Sequence, residues 1–277
     1  MPNYPEKPHL LIDADILTYS IPFIFMQEAE EDICLQTLDK KIRGIIRKTK
    51  AHTYQLYLTG EGNFREDIAI TAAYKGGRKK DKPTHYKSSR DFMVKCWGAI
   101  VVDGMEADDA ITIYATQNKD CVIASIDKDL KQVGGWHYRW SVGERKANME
   151  YISQLGYLRL NEERKLEFGG DKGLYAQMII GDKVDNIIGL KGKGDVSAYE
   201  ALKDCENEEE LKEKVFELYK EEFGKEYLFR FSENFQLLYM LREEGKTALD
   251  ALTTEIKVAP LSEEEREKVR KEWEITL

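Results

Sequence analysis

Three short apolar runs mark the first half of the chain: Leu10-Leu11-Ile12, Ile100-Val101-Val102 and Cys121-Val122-Ile123-Ala124. Each is too short for a helix and ends in polar residues, so each predicts a buried strand. Tyr54 to Leu58 alternates and predicts another, and Trp136 to Trp140 adds an edge strand. Longer stretches carry helical spacing. Asp32 to Lys50 aligns Ile33, Leu35, Leu38, Ile42, Ile45 and Ile46 on one face, the stripe of an amphipathic helix. Ile16 to Met26 begins as a helix that Pro22 interrupts, and Asp91 to Trp97 predicts a further helix. Strand, acidic turn and helix recur after Ile12, Val102 and Ala124. That order predicts an α/β fold, a mainly parallel sheet with helices on both faces. Ligands of such sheets bind beyond the carboxyl ends of the strands.

The pattern changes after Phe168-Gly169-Gly170. Leu174 to Ile180 reads as an apolar helix and Val196 to Leu202 as a second. Between them, Gly189, Gly192 and Gly194 make either an ordinary loop or a turn whose backbone N–H groups meet a phosphate at a helix N-terminus. Glu206 to Leu277 looks helical and charged, with a capping box at Ser262 to Glu265. The chain thus divides into an α/β core over 1–170, with a basic segment at 74–97, and a helical region over 171–277.

Acids gather where the strands end. Asp13 follows the first, Glu106, Asp108 and Asp109 the second, and Asp127 with Asp129 the third; Asp182 and Asp185 sit in the helical region. The helix dipole accounts for one or two acids in a first turn. A third within four residues adds repulsion that a cation relieves, and both readings stand on that stretch alone. The four cysteines and four histidines are scattered, which argues against a disulfide framework, a zinc site or histidine catalysis. An all-oxygen donor set suits Mg²⁺ or Mn²⁺. Net charge is −9, which first argues against a nucleic-acid partner, yet setting those eight acids aside leaves about −1. Lys75 to Arg90 holds seven basic residues against Asp81 alone. No run reaches the length of a membrane span, and Met1 to His9 lacks the layout of a secretory leader; the expected location is the cytoplasm.

With these pieces in order, the chain resembles the flap endonuclease and 5′→3′ exonuclease family, which includes phage 5′-nucleases and the N-terminal nuclease of bacterial DNA polymerase I. The matching stretches are LLID at 10–13, YKGGR at 74–78, EADD at 106–109, DKD at 127–129 and GDKVDNIIGLKGKG at 181–194. The resemblance implies a PIN-like nuclease core, a basic arch at 74–97 and a helix–three-turn–helix at about 174–202. It implies two Mg²⁺ ions, replaceable by Mn²⁺: Asp13, Glu106, Asp108 and Asp109 would serve the first, and Asp127, Asp129, Asp182 and Asp185 the second. Lys75 and Arg78 would stabilise the scissile phosphate, and Tyr74 would stack on a base. Lys79, Lys80, Lys82, Gly189, Lys191, Gly192, Lys193 and Gly194 would hold nucleic-acid backbone, with K⁺ at the turn. The implied partner is DNA with single-strand/duplex junctions, or RNA–DNA hybrids, bound by a monomer during replication or repair. One departure stands out: Gly60 falls where the family carries an Asp after the second strand, with Glu61 beside it.

The nearest rival is a haloacid-dehalogenase-type phosphatase, because Asp13-Ala14-Asp15 mimics its nucleophile motif; it leaves 106–109 and the basic segment unexplained. A PIN-type ribonuclease shares the acidic sheet edge but would lack the helix–turn–helix, and a DNA-junction binder without catalysis would shift a flap substrate and never cut it.

Overall fold

The computed structural model describes residues 2–78 and 81–252. They form two units, one of residues 2–62 and 81–152, the other of 63–78 and 153–252. The boundary expected at 170 therefore falls near Ile152, and part of the basic segment belongs to the second unit.

The first unit is a six-stranded sheet in the order β3-β2-β1-β4-β5-β6. Its strands are β1 His9–Asp13, β2 Thr53–Thr59, β3 Ile100–Val102, β4 Cys121–Ala124, β5 Gly135–Arg139 and β6 Asn148–Ile152. All pair in parallel except β6, which runs antiparallel to β5. Two strand expectations change. β3 lies at the sheet edge, with Ile100 45% and Val101 43% exposed, because an apolar triplet does not reveal whether one or both flanks are covered. β5 is interior, since the half-polar Asn148–Ile152 supplies the edge strand.

Alternation along β1 and β4 splits the core into two layers. Leu10, Ile12, Val122 and Ala124 face α1 (Asp15–Ser20), α2 (Glu31–Thr49) and α4 (Tyr86–Trp97), meeting Leu17, Leu38, Ile42, Ile45 and Met93. Leu11, Cys121 and Ile123 face α5 (Ala107–Gln117), meeting Ala107 and Ile111. The α2 stripe is rotated from the expected one: Cys34 and Thr49 are buried while Ile33 is exposed. The residues between α1 and α2 contain two short 3₁₀ turns, the first at Pro22–Ile24.

The second unit packs α6 (Gly170–Ile180), α8 (Glu208–Phe223) and α9 (Tyr227–Leu238) around Met178, Ile179, Val215, Tyr219, Phe231 and Phe235. A β7–β8 hairpin, Tyr157–Leu160 with Leu166–Gly169, precedes α6. Gly156 and Gly170 approach so closely that a Cβ on either would overlap backbone, which holds the hairpin with the helices and explains the earlier boundary. Between α6 and α7 (Asp195–Leu202) lies a two-rung ladder, β9 Gly181–Asp182 with β10 Ile187–Ile188. α3 (Phe64–Ile68) belongs here too. The expected capping box at Ser262 to Glu265, and the rest of the tail beyond 252, lie outside the described residues, as do Lys79 and Lys80.

Candidate functional site

Chain order reverses in the sheet between β1 and β4, the switch point at which open α/β sheets bind ligands. Asp13 ends β1 on the same side as Leu11, so its carboxylate faces the layer of α5. Ser125, one residue past β4 and in step with Ile123, donates its hydroxyl to Asp13 Oδ2 at 2.7 Å. The Asp127 amide donates to that Ser125 oxygen at 2.9 Å, and the Asp129 amide to Asp127 Oδ1 at 2.9 Å. At the start of α5, Glu106 and Asp109 form a reciprocal capping box, and the Ala107 amide donates to Thr59 Oγ1 at 2.9 Å.

Electrostatics binds these pieces into one group. Burial pushes Asp13 up to about 7, helped by the Asp15 and Asp127 charges and opposed by the Ser125 hydrogen bond. Burial also raises Asp108 well above the usual carboxylate range, with Asp13, Asp127, Glu106 and Asp15 adding repulsion. Carboxylates this close cannot all ionise cheaply in a low-dielectric setting. Asp15, which sequence reasoning left out, belongs to the same group: burial raises it, while the Thr59 amide at 2.9 Å and Arg90 Nη1 at 3.2 Å donate to it. Arg90 also donates to Thr59 O at 2.6 Å. Asp13-x-Asp15 was visible in the chain; its partners, 44 and 75 positions away, had no local signal.

The donor set fits a hard divalent cation, being all oxygen, crowded and self-repelling. Among the described residues, however, no group of three His, Cys, Asp or Glu side chains is arranged to hold a metal ion. Asp109 is fully buried as a helix cap, and Asp129 pairs with Lys128 at 3.1 Å. Gly60 has a physical reason as well: Asp103 Oδ1 fills the place of its missing Cβ and accepts the Glu61 amide at 2.8 Å.

In the second unit the structure brings Tyr74, Lys75 and Arg78 to the turn that follows β9. The Tyr74 hydroxyl donates to Asp185 Oδ2 at 3.0 Å, Arg78 pairs with Asp185 Oδ1, and the Lys75 amide donates to Asp185 O at 2.9 Å. Asn186 Nδ2 returns a bond to Ala73 O at 2.9 Å. Lys75 and Asn186 both adopt left-handed backbone, φ 55° and 59°, uncommon for residues with a Cβ. Asp182 is buried and caps its own turn, accepting the Val184 amide at 2.8 Å. Tyr74, expected to stack on a base, is buried, with its hydroxyl anchored to Asp185. The expected arch over 74–97 is divided: Lys82 belongs to the first unit, its Nζ 4.6 Å from the Tyr86 ring centroid.

The glycine turn also differs from expectation. Gly189 serves packing, since its Cα faces the Ile180–Gly181 backbone with no room for a Cβ. The Lys191 amide donates to Glu222 Oε1 at 2.7 Å. Lys191, Gly192, Lys193 and Gly194 are exposed, and Gly194 leads directly into α7.

The mainly parallel sheet with helices on both faces is a fold shared with solved structures. Within it, the structure is similar to the flap endonuclease of bacteriophage T5 in complex with DNA and metal ions, at 14% identity and TM-score 0.59, over 97% of this chain and 99% of that one. A T5 protein co-crystallised with metal ions matches at 16% identity and TM-score 0.58, over 98% and 100%. The catalytic core of Rad2 with DNA substrate matches at 14% identity and TM-score 0.50, over 96% and 92%. At these identities the likeness establishes a shared fold. No protein-family model matches the chain, and no curated protein matches its sequence. Among the described residues no helix is long and apolar enough to cross a membrane.

Proposed function

We propose that the protein is a divalent-metal-dependent nuclease that hydrolyses phosphodiester bonds of DNA at 5′ ends and flaps. The observation that carries this is the self-repelling carboxylate group at the switch point, where burial and neighbouring charge hold Asp13 near 7 and Asp108 above its usual range. The reading is supported by the fold shared with T5 and Rad2 proteins crystallised with metal ions or DNA. Mg²⁺ or Mn²⁺ bound there would supply positive charge to the phosphodiester and make water a stronger nucleophile at neutral pH.

The chain's own residues have distinct tasks in this proposal. Asp13, Asp108 and Asp127 would hold the cation by converging on it as it binds, with Glu106 adding charge and Ser125 fixing the Asp13 rotamer. Asp182 and Asp185 shape the turn that presents Tyr74, Lys75 and Arg78, and are candidates for the second ion. Lys75 and Arg78 strengthen their hold on phosphate as negative charge develops, which lowers the barrier. Lys82, Lys191 and Lys193 attract backbone phosphates without reading sequence, and K⁺ at the 189–194 turn would aid them. The phosphatase alternative fits less well, because its second acid, Asp15, is occupied by the Thr59 amide and Arg90.

Product sizing on end-labelled 5′-flap, nicked and RNA-primed duplexes tests the proposal. Short 5′ products in Mg²⁺ and none in EDTA are expected. Binding without cleavage on every substrate would leave the junction binder instead.

A further inference from the structure

Among its described residues, the segment that carries Tyr74, Lys75 and Arg78 has only the five-residue α3 as helix or strand of its own. Its place is set by α9. Arg65, fully buried, donates Nε to Leu237 O at 3.0 Å and Nη2 to Tyr239 O at 2.9 Å, at the C-terminus of that helix. Four residues before Leu237, Glu233 is 2% exposed and reaches across to the same segment. Its Oε1 accepts the amides of Ile70 at 2.6 Å and Thr71 at 2.7 Å, and its Oε2 accepts the Thr71 hydroxyl. Arg230 Nη1 donates to that hydroxyl oxygen at 2.6 Å. Donor direction is consistent throughout: guanidinium to hydroxyl, hydroxyl to carboxylate, and two successive amides to the same carboxylate. Only a side chain with acceptors alone can serve three donors here.

We infer that Glu233 is a positioning residue that sets where the 70–78 segment leaves α9, and thereby holds Lys75 and Arg78 for phosphate. Two features give the contact this consequence. Thr71 is four residues from Lys75, and the backbone at Lys75 occupies the left-handed region, a conformation that persists where its surroundings fix it from several sides. Glu233 fixes one side, and Asp185 with Asn186 the other. Without the carboxylate, the Ile70 and Thr71 amides lose their acceptor in buried surroundings, and the segment moves toward water to recover one. The consequence for catalysis rests on the proposed nuclease activity; the clasp itself does not.

The test pairs amide hydrogen exchange of the 70–78 peptide with a double-mutant cycle, on the full chain. Glu233→Ala should speed exchange in 70–78 roughly tenfold or more while α6 stays protected. Glu233→Gln keeps an oxygen for the two amides and should retain most protection. At saturating protein, Glu233→Ala should slow single-turnover cleavage of a 5′-flap duplex about tenfold with flap affinity nearly unchanged. In a Lys75→Ala background the same change should cost less than about threefold, because residues acting as one unit are not additive. A purely structural role would multiply in full and would appear as less folded protein, not a slower folded enzyme. Equal exchange in 70–78 across wild type, Glu233→Ala and Glu233→Gln overturns the inference, as does full multiplication in the cycle. If Glu233→Ala does not fold, Thr71→Val replaces it: it keeps both amide bonds, removes the hydroxyl, and should loosen the same peptide to a smaller degree, an unchanged peptide counting against the clasp. A protein that cuts no DNA refutes the nuclease proposal, and exchange still decides the clasp.

Discussion

Asp13→Asn should make the metal-free protein more stable at alkaline pH, although it removes a residue of the proposed centre. Burial, with Asp15 and Asp127 nearby, lifts the Asp13 carboxyl from 3.8 to about 7. The folded state therefore binds this proton more tightly than the unfolded chain. The stabilisation this provides is complete below about pH 4 and is lost as pH rises through about 7. Three units at about 1.4 kcal/mol each set a ceiling of about 4 kcal/mol for the strain carried at pH 8. Asparagine keeps the volume and can still accept from Ser125, so it removes the strain and leaves the packing. It also relieves Asp108, for which Asp13 is the largest charge contribution. At about 2–4 °C per kcal/mol for a chain of this size, the melting temperature in EDTA at pH 8 should rise by roughly ten degrees. Near pH 4 the two proteins should almost coincide. Millimolar Mg²⁺ should stabilise the wild type and leave Asp13→Asn unmoved. A variant no more stable than wild type at pH 8, or a gain of equal size at pH 4, would refute the reasoning.

Lys75→Ala should slow single-turnover cleavage on the order of 100-fold at saturating protein, whereas Lys79→Ala with Lys80→Ala should chiefly weaken binding; equal, small effects would make 74–80 an ordinary basic loop. Lys191→Ala with Lys193→Ala should weaken duplex binding uniformly across sequences and reduce the salt slope by up to about two, and an unchanged slope would place the duplex elsewhere. Gly60→Ala should destabilise by about 1–3 kcal/mol, because its Cβ meets Asp103 Oδ1 and the Val102 carbonyl, the latter at 2.8 Å; Gly60→Asp should likewise lower stability, and a more stable Gly60→Asp protein in chemical denaturation would show that Asp103 yields.

Much of the α/β core was legible because its cues are local. The apolar runs at 10–12 and 121–124 form β1 and β4, and the residues that end them, Asp13 and Ser125, lie at the switch point. The acids of 106–109 mark the start of α5, and the structure divides them into caps and crowded carboxylates, a distinction that depends on which side chains β1 brings near. What stayed hidden depends on partners far along the chain. Nothing near Asp15 announces Arg90, and nothing near Thr71 announces Glu233, which lies 162 positions away. Gly189 looked like a phosphate-binding glycine because its packing against the Ile180–Gly181 backbone is invisible in a pattern of three glycines. The edge position of β3 was missed for a similar reason: apolar content does not report how many neighbours a strand has.

The most direct test of the proposed chemistry is single-turnover cleavage of a 5′-flap duplex by Asp108→Asn, with binding of the same duplex measured in parallel. Asp13, Asp127, Glu106 and Asp15 all repel the Asp108 carboxylate, and asparagine preserves its volume while removing its charge. Wild-type protein should cut in Mg²⁺ and not in EDTA, and Asp108→Asn should bind the flap at least as tightly while cutting at least about 100-fold more slowly. Cleavage by Asp108→Asn at the wild-type rate, or full wild-type activity in EDTA, would contradict a metal-dependent centre at this end of the sheet.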